Sequence, residues 1–92
     1  MAGHLQGLEL VLYGRANCCL CDRLESLITP HLQAQRGNGN VTLTKRNIDD
    51  DAHWQDLYGT RIPVLTHGAK VVLEGRPEPE AVAAAFAELS DC

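Results

Sequence analysis

The chain has 92 residues, of which 45% are hydrophobic and 22% are charged, and its formal net charge at pH 7 is −4. This length leaves room for one domain, residues 1–92, with a single hydrophobic core. No basic stripe suits nucleic-acid binding, and no apolar run is long enough to span a membrane. The first residues lack the basic start and apolar stretch of a secretory leader, so we expect a cytoplasmic location.

The cysteines are distributed unevenly along the chain. Cys18, Cys19 and Cys21 lie within four positions, whereas Cys92 is the last residue. A structural disulfide framework spreads its cysteines, because the entropic gain from a crosslink grows with the length of the closed loop. The cluster therefore indicates redox or metal chemistry. We expect Cys19 to be a bystander thiol, the alternative being that it competes with Cys21 in resolving intermediates. Cys92 is expected to be an exposed thiol at a frayed terminus.

The first half of the chain has the pattern of a strand, a helix and a second strand. Residues 8–13 form a short apolar run, typical of a strand that is covered on both faces. A helical stripe follows, and its members are Leu20, Leu24, Leu27, Ile28 and Leu32. Pro30 lies within this stripe, so we expect a kink or an early end of the helix there. Residues 37–40 predict a loop, and residues 41–48 predict the second strand.

A short helix is predicted in the middle of the chain. Residues 49–51 are three aspartates, which suit the N-terminal cap of a helix and its positive end. The helix should end at Tyr58, because Gly59 can supply its C-terminal cap. Its inward side chains are expected to be Trp54, Leu57 and Tyr58.

The last third of the chain predicts a hairpin followed by a helix. A third strand begins at Ile62-Pro63, and a turn at residues 67–68 leads to a partner strand at residues 71–73. After a loop, Pro79 suits the first position of the last helix. The inward face of that helix consists of Val82, Ala85, Phe86 and Leu89.

The predicted order of elements is β-α-β-α-β-β-α, which defines an α/β chain. Its first half contains a βαβ unit, whose crossover should be right-handed and whose strands should be parallel. Its second half ends in an antiparallel hairpin and a helix. One mixed four-stranded sheet with helices on both faces satisfies these requirements.

Cys18 and Cys21 lie at the junction between the first predicted strand and the first helix. The first N–H groups of a helix have no intrahelical acceptor, and the macrodipole adds positive potential there, so a thiolate at that end is stabilised. Cys18 gains most from this position and is the predicted nucleophile. Cys21 lies one turn further on, is more buried and is close enough to form a disulfide with Cys18. Arg15 can add positive potential at the same end.

A second signal makes the motif more specific than its C-x-x-C spacing alone. Proline is tolerated where the third strand starts, at Ile62-Pro63, and an X–Pro bond can be cis there. With its Leu-Tyr-Gly-Arg-x-x-Cys-x-Leu-Cys segment, the chain resembles glutaredoxins and other thioredoxin-fold proteins, most closely the small bacterial glutaredoxin-like proteins. The resemblance extends from Leu8 to Leu89 and implies a thioredoxin-like fold.

The resemblance also implies a role for each residue of the motif. Cys18 is the attacking thiol and Cys21 the resolving thiol. Pro63 corresponds to the cis-proline that faces the cysteine pair in this fold. The backbone of Ile62 would pair with a bound peptide or with glutathione.

Two segments depart from the pattern of typical glutaredoxins. The residues between the cysteines are Cys19-Leu20 instead of Pro-Tyr. In the loop before the last helix, Gly75 lies where glutaredoxins offer backbone donors to glutathione. Pro77 supplies no N–H in that loop, and Glu78 would repel a carboxylate, so we expect glutathione to bind weakly or through other contacts.

These observations predict a dithiol–disulfide oxidoreductase that acts as a monomer. Its partner would be a disulfide-containing protein or a glutathione mixed disulfide, with no bound cofactor and with glutathione as a candidate co-substrate. Arg61, next to Ile62-Pro63, can meet a substrate carboxylate or remain an ordinary solvated arginine. No metal site is expected, since the histidines show no ligand spacing. The alternatives are a carrier of a metal or an iron–sulfur cluster, and a redox-inert interaction domain of the same fold.

Overall fold

Strands and helices alternate along the chain in the predicted order, β1–α1–β2–α2–β3–β4–α3. The computed structural model describes residues 8–36 and 41–90. The elements are β1 Leu8–Gly14, α1 Cys19–Arg36, β2 Val41–Asn47, α2 Ala52–Tyr58, β3 Val64–His67, β4 Lys70–Glu74 and α3 Pro79–Ser90. A single 3₁₀ turn, Ile48–Asp50, connects β2 to α2. The predicted loop at residues 37–40 and the terminal Cys92 lie outside the described residues.

The strands form one mixed four-stranded sheet in the order β2-β1-β3-β4. β1 and β2 are parallel, and their register runs from Leu8 opposite Val41 to Gly14 opposite Asn47. β3 is antiparallel to both β1 and β4. The fold is therefore the predicted α/β arrangement. Because β1 and β2 end at the same edge of the sheet, the loop that follows Gly14 lies beside the 3₁₀ turn.

Helices cover both faces of this sheet. Leu10 and Leu12 point to the face that packs against α1 and α3. The buried members of that core cluster are Leu10, Leu12, Leu24, Ile28, Leu32, Leu65, Leu73, Val82 and Phe86. Tyr13 points to the opposite face, because successive strand residues alternate. There it contacts Trp54 and Tyr58 of α2, at ring-centroid distances of 5.6 Å and 4.5 Å. No helix in residues 8–36 and 41–90 is long and apolar enough to cross a membrane.

The first helix differs from the prediction at Pro30 and at Leu20. Of the two outcomes expected at Pro30, an early end does not occur, because α1 continues to Arg36. Ile28 and Leu32 are buried on either side of the proline, and their burial offsets the loss of one backbone hydrogen bond. Leu20 is 39% exposed, so its inward placement is wrong. Each residue turns the helix by about 100°, which places Leu20 about 80° away from Ile28 and off the buried stripe.

The second helix is correctly bounded, but one of its inward residues is wrong. Asp51 caps the N-terminus by accepting the N–H of His53 at 2.8 Å, and Gly59 is the C-terminal cap. Leu57 is 43% exposed, whereas Trp54 and Tyr58 are half-buried. Those two residues lie four positions apart, so their rings project from the same side of α2 and contact Tyr13. Leu57 projects about 100° from Tyr58 and finds no cover, because α2 makes only two turns.

Two strands, β2 and β3, are shorter than predicted. β2 ends at Asn47, whose side chain accepts the N–H of Asp49 at 2.9 Å and starts the 3₁₀ turn. Ile48 is buried in that turn rather than in the strand. β3 begins at Val64, after Ile62-Pro63. Pro79 is the first residue of α3, as predicted.

Candidate functional site

The loop between β1 and α1 places a cysteine at the first position before the helix. Asn17 has a positive φ of 59°, a left-handed conformation that asparagine tolerates better than most residues. This turn leads directly into Cys18, whose carbonyl oxygen accepts the N–H of Asp22 at 3.0 Å. Since that bond is the first of the helical series, Cys18 is the N-cap of α1.

The thiol of Cys18 also caps the helix. Its Sγ accepts the backbone N–H of Cys21 at 3.2 Å, the bond that a serine or aspartate side chain makes at an ordinary N-cap. A sulfur anion at this position gains from the hydrogen bond and from the positive end of the macrodipole. The Cys18 Sγ therefore lies at the positive end of α1 and accepts one of its free N–H groups.

The thiol of Cys21 is in the opposite environment. It is only 8% exposed, and burial, together with a side-chain hydrogen bond to Cys18, raises its pKa to about 11. The backbone N–H of Arg15 interacts with the same sulfur and lowers the pKa, but this effect is the smaller one. Cys21 is therefore a protonated thiol at neutral pH, one helical turn from Cys18. Cys19, between them, is an exposed free cysteine.

Gly14 makes room for the buried thiol. A Cβ atom added at this glycine would lie 2.9 Å from the Sγ of Cys21, which is closer than van der Waals contact allows. Gly14→Ala is therefore expected to destabilise the fold by about 1–2 kcal/mol through overpacking. Urea unfolding of the reduced protein measures this loss.

A double variant isolates the cause of that loss. In the Cys21→Ala background the sulfur is absent, so adding the methyl group at Gly14 should cost much less than it does in the parent protein. A double-mutant cycle measures this coupling. An equal cost in both backgrounds would show that the Cβ meets something other than the Cys21 thiol.

Pro63 and Gly75 are joined beside β3. The Ile62–Pro63 peptide bond is cis, and Pro63 is buried. The N–H of Gly75 donates to the carbonyl oxygen of Pro63 at 2.8 Å. Gly75 has a positive φ of 69°, which favours glycine where the chain turns out of β4. Substrate contacts by Ile62, Pro63 and Gly75 stay predictions.

The two arginines predicted near the substrate both face acidic side chains. Nε of Arg15 lies 3.0 Å from Oδ1 of Asp49. Arg61 donates two hydrogen bonds to Oε1 of Glu74 and one to the backbone carbonyl of Leu57. These pairs are exposed and contribute little to stability. A substrate carboxylate would nevertheless have to compete with Asp49 or Glu74 for either guanidinium group.

A groove of about 320 Å³ lies on the β2 side of Cys21. Its walls are the β1–α1 loop, the first turns of α1 and the end of β2. Its lining residues are Leu12, Gly14, Arg15, Ala16, Asn17, Cys21, Asp22, Glu25, Lys45, Arg46 and Asn47. Lys45 pairs with Glu25 across it at 2.9 Å. Within residues 8–36 and 41–90, no group of three or more His, Cys, Asp or Glu side chains is arranged to hold a metal ion.

One known protein family matches most of the chain. The glutaredoxin-like domain family (DUF836) matches residues 9–86, a range that contains all three described cysteines. The chain belongs to this family. No curated protein matches it.

Solved structures similar to this glutaredoxin-like domain include thioredoxins. Protein XcR50 from X. campestris has a TM-score of 0.64 at 28% identity, covering 90% of this chain and 97% of that one. Deadhead, a germline-specific thioredoxin of Drosophila melanogaster, has a TM-score of 0.57 at 14% identity, covering 88% and 79%. Trichomonas vaginalis thioredoxin has a TM-score of 0.55 at 24% identity, covering 88% and 78%. The two thioredoxins share the fold with this glutaredoxin-like domain.

Sequence reasoning missed one residue of the glutaredoxin-like domain that joins the helix of the thiols to the loop before α3. Nη1 of Arg23, in the second turn of α1, donates to the carbonyl oxygen of Pro77 at 2.9 Å. The two residues are 54 positions apart. No local pattern could indicate this contact, because it exists only after α1 and the loop have been brought together by the sheet.

Proposed function

We propose that this glutaredoxin-like domain catalyses thiol–disulfide exchange, with Cys18 as the nucleophile and Cys21 as the resolving thiol. The observation that carries the proposal is the contrast between two sulfurs one helical turn apart. The Sγ of Cys18 accepts an N–H at the positive end of α1, whereas Cys21 is buried and protonated. Only a thiolate attacks a disulfide, so this contrast supports Cys18 as the thiol that attacks first.

The first step forms a mixed disulfide. The Cys18 thiolate attacks one sulfur of the substrate disulfide, the S–S bond of the substrate breaks, and the other substrate sulfur leaves as a thiolate that takes a proton. Cys18 is then covalently linked to the remaining half of the substrate. One disulfide bond has replaced another at this stage, so the domain and the substrate together are neither oxidised nor reduced.

The second step releases the substrate. Cys21 loses its proton and attacks the Cys18 sulfur, the mixed disulfide breaks, and the remaining substrate sulfur leaves as a thiol. The substrate has gained two electrons and two protons, and the domain holds a Cys18–Cys21 disulfide. An external dithiol, or two molecules of a thiol such as glutathione, returns these electrons and protons. The cycle needs no bound cofactor, because the two thiols carry the electrons.

The loop before α3 favours protein disulfides over glutathione as the substrate class. The N–H of Gly75 is already donated to Pro63, and Pro77 has no N–H to offer. A small anionic ligand that depends on backbone donors at this loop would find few of them. A peptide chain can instead pair with the backbone carbonyl of Ile62, whose N–H already donates to the Tyr58 carbonyl at 3.0 Å. We take this position as the docking edge of a monomeric domain.

The variant Cys21→Ser tests the order of the two steps. With the resolving thiol removed, we expect a one-to-one mixed disulfide on Cys18 to accumulate when the reduced variant meets a disulfide-linked peptide. Intact mass spectrometry followed by peptide mapping identifies the modified cysteine. The wild-type protein should show only the Cys18–Cys21 disulfide after the same treatment.

The exposed neighbouring thiol provides the control for this trap. Cys19→Ser, combined with Cys21→Ser, should give the same adduct on Cys18 at the same rate. An adduct found mainly on Cys19, or no adduct at all, would overturn the assignment of Cys18 as the nucleophile.

A further inference from the structure

Arg23 connects the helix that carries the thiols to the loop that contacts Pro63. It lies two positions after Cys21, in the second turn of α1, and is half-buried. Its hydrogen bond to the Pro77 carbonyl spans 2.9 Å. Unlike Arg15 and Arg61, it has no carboxylate partner among residues 8–36 and 41–90. Its full charge therefore strengthens the bond to the neutral carbonyl.

The loop at residues 75–78 is held at its two ends by backbone bonds. At its start, Gly75 donates to Pro63, and at its end, Glu78 accepts the N–H of Val82 in the first turn of α3. Pro77 lies between these two bonds and has no N–H of its own. The Arg23 guanidinium therefore contacts the middle of the loop, and it comes from the helix that carries both thiols.

We propose that Arg23 is a positioning residue that fixes the loop at residues 75–78 against α1 and so sets how well a peptide disulfide docks beside Cys18. The inference rests on the proposed thiol–disulfide exchange and adds a residue that holds the docking surface rather than reacting. The loop is bonded to Pro63 at Gly75, so movement of the loop changes the surface that a peptide would meet there. A disulfide too small to reach the loop should not sense Arg23.

The experiment compares two substrates in steady-state assays. For the variant Arg23→Gln we expect the KM for a disulfide-linked peptide to rise about tenfold, as for the loss of a hydrogen bond to a charged group, with kcat unchanged. Turnover of 2-hydroxyethyl disulfide should remain unchanged. Arg23→Lys, which keeps the charge and one donor, should recover part of the KM. Lys70→Gln removes one exposed charge at the opposite end of β4. It should change neither the KM for the peptide nor the turnover of 2-hydroxyethyl disulfide.

A second readout does not depend on redox activity. Amide hydrogen exchange at Gly75 should become about tenfold faster in Arg23→Gln, because the loop is released from α1, and should stay unchanged in Lys70→Gln. Unchanged exchange at Gly75, or equal losses for the peptide and the small disulfide, would overturn the positioning role. A wild-type protein inactive on both disulfides would instead overturn the proposed function, and Gly75 exchange would still report whether Arg23 holds the loop.

Discussion

Replacing Cys18 by serine is expected to reduce the rate of disulfide exchange by about a thousandfold or more, as for the removal of other enzyme nucleophiles. The reason is that a serine hydroxyl is not ionised at neutral pH and does not attack a disulfide. The fold should be retained, because serine is a good N-cap and its hydroxyl can accept the Cys21 N–H that the Cys18 Sγ accepts. Stopped-flow reduction of a fluorogenic peptide disulfide by the reduced protein measures the rate.

Cys19→Ser is the matched control for this loss. It removes an exposed thiol from the adjacent position of the same helix and should leave the rate unchanged. Thermal unfolding of both variants should stay close to that of the wild-type protein, which separates lost chemistry from lost structure. Substantial activity in Cys18→Ser would contradict the proposed mechanism, since the remaining exchange would then have to begin at Cys19 or at the buried Cys21.

The sequence predicts the cysteine pair well because its geometry is local. A cysteine just before a helix and a second one three positions later must lie on the same side of the first turn. The strand before Gly14 and the apolar stripe after Cys21 determine where that turn begins. The structure adds the reason for the asymmetry, because the Cys18 Sγ occupies the cap while Cys21 packs against Gly14.

Long-range contacts are the part that the sequence does not predict. The sequence suggests Arg61 for a substrate carboxylate and Arg15 for positive potential at the start of α1, but it cannot show that Glu74 and Asp49 lie beside them in the fold. The contact of Arg23 with Pro77 is absent from any local pattern for the same reason. Electrostatic roles of surface arginines therefore depend on which acidic side chains the sheet brings near, rather than on their neighbours along the chain.

Exposure at the helix ends is also determined by the tertiary structure. Leu20 and Leu57 both fit an amphipathic pattern, yet both are exposed, because each projects away from the side of its helix that is buried. At Pro30 the expected early end does not occur, and buried isoleucine and leucine side chains lie on either side of the proline. In each case packing against another element decides between outcomes that the local pattern leaves equal.

The reduced protein is expected to lose about 2–3 kcal/mol of stability between about pH 9 and about pH 11 through Cys21 alone. Burial and the hydrogen bond to Cys18 raise the pKa of Cys21 to about 11 from an ordinary value of 9.0. Above pH 9 the unfolded chain gives up this proton while the folded protein retains it, so rising pH favours unfolding. The contribution is fully present below pH 9 and is lost as the pH approaches 11. Urea unfolding under reducing conditions across this range measures it.

The variant Cys21→Ala separates the contribution of Cys21 to stability from that of other groups that titrate at alkaline pH. Tyr13, whose pKa is also raised by burial, is present in both proteins, so its ionisation affects the stability of both alike. The difference in stability between wild type and Cys21→Ala should therefore shrink as the pH rises, whereas Cys19→Ser should keep a constant difference. A wild-type protein whose alkaline loss equals that of Cys21→Ala would mean that Cys21 titrates alike in both states. The buried, proton-retaining thiol on which the resolving step depends would then be absent.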